Sequence, residues 1–205
     1  MSQPDLHARW TLLCAGLRLD GGEQWLELAK NYTTSGLAYH NLHHIADCLA
    51  QFSARSLEST NPVALEMAIW FHDVIYDPKS SENEEGSAEM AARFLTGTPL
   101  AGEVSALILA TKHSEPPSTP DEALICDIDL SILGSSPSRY QAYSEAIRSE
   151  YSWVPEQDYR AGRTKVLRHF LDRASIFYLK TSRDQFESRA RENLESEISQ
   201  LQACH

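Results

Sequence analysis

Apolar residues recur at helical spacing along most of this chain, and the strict alternation of a half-buried strand appears almost nowhere. Trp10, Leu13, Cys14 and Leu17 share one helical face, as do Trp25, Leu28 and Ala29 after the breaker "DGG". The pattern predicts an all-α fold that opens on a helical hairpin. Further helices are expected from near His40, from Pro62 through Val74, from about Glu82 to Leu95, and from Pro99 through "LAGEVSALILATKH". "SEPPSTPDE" (114–122) reads as a proline-rich loop unable to stay helical. After it a short helix is expected from about Asp127, then helices from Pro137 to Tyr151, after Pro155, and from about Asp184. There is no repeat and no low-complexity tract.

A chain of 205 residues with 42% hydrophobic content supports one substantial core, so a single domain is expected. Eighteen Lys and Arg against 29 Asp and Glu leave a net charge of -11, which repels phosphate backbones and anionic membranes. Bulk nucleic acid and membrane are therefore not expected partners, whereas a local basic pocket for one small phosphorylated compound is compatible with that charge. Cys14, Cys48, Cys126 and Cys204 show no CxxC spacing, and "MSQPDLHARW" lacks the plan of a signal peptide. These features point to a cytoplasmic protein with reduced thiols. The longest apolar run, "VSALILA" at 104–110, is far short of the roughly 20 residues that span a bilayer. The amphipathic terminal helices leave both a monomer and a homodimer open.

The chemistry gathers in a few segments. "AIWFHDVIYDP" (68–78) sets His72 and Asp73 after an apolar run heading into a core, where ionisable groups are costly unless paired or metal-bound. Consecutive side chains diverge by about 100° on a helix, yet at a helix end both can lean toward one point. Imidazole and carboxylate together suit Fe, Mn, Zn or Co. In "YHNLHHIADCL" (39–49), His40 and His44 are four apart and share a face if the segment is helical. A zinc-protease HExxH motif is excluded, because Asn41 stands where the glutamate base belongs. The alternative is that these histidines are ordinary hydrogen-bonded residues.

Asp127 and Asp129 in "ICDIDLSILG" (125–134) are two apart at an expected helix start, so one fits a cap and the other a ligand. In "YDPKSSENEEGSAEMA" (76–91), Asp77, Glu84 and Glu85 are candidate general acids or bases, while Ser81 with Glu84 also reads as a capping box. His113 follows Lys112 at the end of an apolar helix, where the helix dipole alone favours a histidine. Lys112, Arg148, Arg160, Arg163 and Lys165 are the candidate phosphate-binding cations, with "YRAGRTK" the densest cluster; a solvated helix face is the alternative. Tyr151, Trp153 and Tyr159 suit either stacking on a base or core packing.

Taken in order, "YHNLHHI", "FHDVIYDP", "SENEEGSAEMA", "DIDLSILG" and "EYSWVP" followed by "YRAGRTKVLRHFL" resemble the HD-domain metal-dependent phosphohydrolases, from about residue 25 to 200. The likeness is closest to the small bacterial branch described as predicted HD-superfamily phosphohydrolases. It implies a single HD-type helical bundle, with a metal-binding core over about 36–135 and C-terminal helices over about 137–203 packed on it. It implies His44, His72, Asp73 and Asp129 as metal ligands, with Asp127 as a cap or an outer partner. His44 is preferred to His40 because the family's first histidine usually precedes, by four residues, an inward-packing apolar residue, here Cys48. The implied cofactor is a divalent ion, one of Mn, Mg, Fe, Ni, Co or Zn.

The implied reaction is attack of metal-activated water on a phosphate ester or anhydride of a small phosphorylated compound, with nucleotides the favoured class. Asp73 would join ligation to orientation of the water, and His40 and Glu85 are the further catalytic candidates. His40, Lys112, His113, Arg148, Arg163 and Lys165 are the candidates for holding substrate. Because the superfamily also contains di-iron oxygenases, His40 and His113 keep that chemistry as an alternative. A non-catalytic helical sensor that retains its metal is a third reading.

Overall fold

In this computed structural model, residues 1–203 are described; Cys204 lies outside them. The chain is all-α, with ten α-helices and two short 3-10 segments among the described residues and no strand. It divides into two compact units, residues 1–125 and 126–205, with the boundary inside a helix and earlier than the 135–137 break expected from sequence. The first unit holds α1 (Gln3–Leu17), α2 (Gly22–Tyr32), α3 (Leu42–Arg55), α4 (Pro62–Phe71), α5 (Asn83–Phe94), α6 (Ala101–Ala110) and the start of α7 (Pro120–Asp129). The second holds the end of α7, a 3-10 segment (Leu130–Gly134), α8 (Pro137–Glu150), α9 (Glu156–Leu171) and α10 (Lys180–Ala203).

In the first unit α4 is the axis. From Ala64 to Phe71 every residue except Glu66 is buried, which marks a helix surrounded by protein on all sides. Trp10 of α1 meets Trp70 edge-on at 5.7 Å and Phe71 at 6.0 Å, while Trp25 of α2 meets Trp70 at 6.1 Å. The opening hairpin therefore belongs to this core, which extends well before residue 36. Asp121, in the first turn of α7, accepts from Thr60 N, Thr60 Oγ1 and Asn61 N, each at 2.8 Å, and so caps the entry to α4.

Several boundaries depart from the sequence reading. Asn41 Oδ1 accepts from His43 N at 2.8 Å and caps α3, so His40 precedes that helix instead of riding on it. Helix α4 stops at Phe71, leaving His72 as its C-cap and Asp73 in the turn beyond. Helix α7 begins at Pro120 and ends at Asp129, so Asp129 closes a helix where it was expected to open one. Thr119 Oγ1 accepts from Glu122 N at 3.1 Å and Glu122 Oε2 accepts from Ser118 N at 2.6 Å, a capping arrangement that overrides the neighbouring prolines. The expected Ser81–Glu84 box is not what starts α5: its N-cap is Glu82, whose N–H reaches Ser80 Oγ at 3.0 Å.

In the second unit the apolar face of α10 gathers Leu133, Leu167, Ile176 and Phe177 around Phe186 and Leu194. Gly134 is required there, because a Cβ at that position would stand 2.5 Å from Phe186 Cβ and 2.8 Å from its carbonyl oxygen. Among the described residues no helix is long and apolar enough to cross a membrane.

Candidate metal centre

His44 lies in the first turn of α3 and His72 at the end of α4, both almost fully buried. Their Nε2 atoms are 3.0 Å apart, and Asp73 Oδ2 lies 3.3 Å from His44 Nε2 and 3.2 Å from His72 Nε2. Three donor atoms from three residues thus converge on one point inside the first unit. Local chain geometry explains the convergence, since the turn that follows Phe71 releases Asp73 from helical phase and lets it lean toward its neighbour.

The protonation pattern matters here. His72 Nδ1 lies 2.9 Å from the carbonyl oxygen of Ile69, which can only accept, so Nδ1 carries the proton. In the neutral ring, Nε2 then presents a lone pair to another imidazole nitrogen and to a carboxylate. Either a hydrogen on His44 Nε2 or a metal ion among the three atoms would relieve this opposition of lone pairs. Two donors each about 2.1 Å from a shared ion stand about 3.0 Å apart at a right angle and about 3.4 Å apart at the tetrahedral angle. The observed edges of 3.0, 3.2 and 3.3 Å fall in that window. The N/N/O set therefore fits a divalent transition metal, with room for further ligands. Burial pushes the Asp73 carboxyl up, but the facing His72 and His44 rings outweigh it and hold it well below the usual carboxylate range.

Cys48 was expected only to pack inward. It is buried one turn after His44 on α3, with Sγ 3.7 Å from His44 Nε2 and 3.8 Å from Nδ1. The sequence did carry a signal for it, since histidine and cysteine four apart share one helix face. His44, Cys48 and His72 belong to a cluster of side chains that could hold a metal ion, and Asp73 Oδ2 stands against both histidines.

The other expected residues of the first unit have different surroundings. His40 lies in the turn before α3 with its ring stacked on Tyr76 at 3.7 Å and 18°, and its centroid is 6.2 Å from that of His44. Glu85 on α5 is bonded to Lys112 Nζ, which also donates to Ser81 O at 3.0 Å, so the candidate acid and the candidate phosphate cation are clasped to each other. His113 adopts φ 54° and its N–H reaches Ala110 O at 3.2 Å, closing α6 in the left-handed conformation.

In the second unit, half-buried Asp129 ends α7. Fully buried Asp127 accepts from Tyr178 N and Leu179 N, each at 2.8 Å, and so fixes the two residues that lead into α10. Arg148 donates to Glu156 and to Tyr151 O, and its guanidinium lies over the Tyr159 ring. Arg160 pairs with Glu156 at 2.7 Å. Arg163 makes a two-pronged pair with Glu197 at 2.8 and 3.1 Å. Of the four, only Lys165 stands exposed, on α9. Arg148 and Arg163 thus brace their own unit, a role that residue type alone did not reveal.

Compared with models of known families, with characterised proteins and with solved structures, the chain matches none.

Proposed function

We propose that the chain is a metal-dependent phosphohydrolase acting on a small phosphorylated compound, with nucleotides the favoured class by resemblance. The observation that carries the reading is the meeting of His44 Nε2, His72 Nε2 and Asp73 Oδ2 at 3.0 to 3.3 Å around one point. The resemblance adds Asp129 as a fourth ligand. A divalent ion held by these residues lowers the pKa of water from about 16 toward neutrality and polarises a phosphoryl oxygen.

The chain's own residues have separable tasks. The Ile69 carbonyl fixes the His72 tautomer, so the lone pair on Nε2 faces the centre without any proton rearrangement. Asp73 stays ionised and supplies the negative charge that retains a dication. His40, stacked flat on Tyr76 near His44, is the residue we assign to contact with substrate. A phosphate bound by Lys112 would compete with Glu85 for the same ammonium, which makes that clasp the candidate for a substrate-dependent rearrangement.

The test is phosphate release by the purified, metal-loaded protein across a panel of phosphorylated metabolites, run beside His72→Ala and Asp73→Ala. Turnover is expected on at least one compound, falling at least ~100-fold in either variant, in line with the several kcal/mol a catalytic metal supplies. Undiminished activity in both variants sinks the reading. Oxygen consumption with two irons per chain would replace it by the oxygenase chemistry.

A further inference from the structure

We propose that Cys48 is a thiolate ligand of the first unit's metal centre and biases it toward thiophilic ions. This rests on reading His44, His72 and Asp73 as a metal site, but not on the hydrolytic reaction. Cys48 follows His44 by one helical turn and faces the same way. Its ligand atom and those of His44 and His72 lie within 4.8 Å of one another, in a pocket where Cys48 is only 3% exposed.

The sulfur lies 3.7 Å from His44 Nε2. A nitrogen about 2.1 Å and a sulfur about 2.3 Å from one ion stand about 3.6 Å apart at the tetrahedral angle. The sulfur is also 3.8 Å from Nδ1, so it lies beside the ring and points squarely at neither lone pair. A directed S–H hydrogen bond therefore does not account for its position. To bond the ion, the Cys48 side chain would have to turn toward it from the side of the ring. As the sulfur–metal bond forms, the S–H bond breaks and its proton passes to solvent.

The consequence is selectivity. Two imidazoles and a carboxylate suit many divalent ions, but a thiolate favours Zn2+, Co2+ and Fe2+ over Mg2+ and Mn2+. A serine in its place would keep the size and remove the soft donor.

The full chain, stripped with a chelator and kept reduced, is titrated with Co2+ and followed by absorption. The wild type is expected to show visible ligand-field bands and a near-ultraviolet sulfur-to-cobalt charge-transfer band. Cys48→Ser should lose the charge-transfer band and keep the visible bands, whose survival also reports an intact fold. His72→Ala should lose both. Visible bands without charge transfer in the wild type, or charge transfer that survives Cys48→Ser, overturns the proposal while leaving the metal centre in place. Absence of all bands in the wild type removes the centre and the proposal together. Charge transfer in a protein that hydrolyses no phosphate compound supports Cys48 and counts against the phosphohydrolase alone.

Discussion

Asp121 and Asp73 are both carboxylates in the first unit that stay ionised, for different physical reasons. Asp73 is held by imidazoles, whereas Asp121 is held by three donors at the entry to α4. For Asp121, burial raises the pKa, but the Thr60 and Asn61 bonds outweigh it and the net shift is downward. A depressed folded pKa stabilises the native state above the ordinary aspartate value, about 3.9, and that contribution fades as pH falls through the folded value. Asp121→Ala strands two backbone N–H groups and should cost about 1–3 kcal/mol at neutral pH, with the deficit shrinking in acid. Urea melts of both proteins at neutral and acidic pH check this; a deficit independent of pH would refute it. At this scale the sequence was informative about chemistry and blind to partners. His72 and Asp73 stand out because charge beside "AIWF" needs a reason, yet nothing local indicates that Asp127 binds the backbone leading into α10 some fifty residues later.

Among the elements, α8, α9 and α10 are joined by a buried charge network. Arg163 of α9 pairs with Glu197 of α10, and Tyr140 of α8 donates to Glu197 Oε2 at 2.5 Å. Burial opposes ionisation of Glu197, but the Arg163 guanidinium prevails and holds its carboxyl below the ordinary range. Removing one partner leaves an uncompensated charge, so Arg163→Met should cost about 3–5 kcal/mol, whereas Arg163→Met combined with Glu197→Leu should recover most of it. A double-mutant cycle in denaturant reads the coupling directly; strictly additive losses would show that the pair does not act as a unit. The helices themselves were legible because 3.6-residue periodicity survives in any sequence that buries one face. Their ends were less so: "SSENEE" carries a capping box that α5 does not use, while Ser118, Thr119 and Glu122 form one amid prolines. Caps depend on which donor is left exposed, and tertiary contacts decide that.

For the molecule as a whole, a net charge of -11 complicates any metal experiment, because an acidic surface attracts every divalent ion. Screening of that charge raises stability without a site, and it acts equally on any variant that keeps the surface. An ion bound only by the native centre adds RT ln(1 + [M]/Kd), about 2.7 kcal/mol at a free concentration of 100 Kd. For a chain of 205 residues, at roughly 2–4 °C per kcal/mol, that is about 5–11 °C in melting temperature. The informative quantity is the difference between the metal-induced shift in the wild type and in His72→Ala. His72→Ala lowers the starting melting temperature by emptying a buried site, but its own shift on adding metal contains only the screening part. A wild-type shift exceeding the variant's by about 5 °C or more, reversed by a chelator, is the expected outcome. Equal shifts would mean that the ion binds the acidic surface and that His44, His72 and Asp73 are held together by a shared proton.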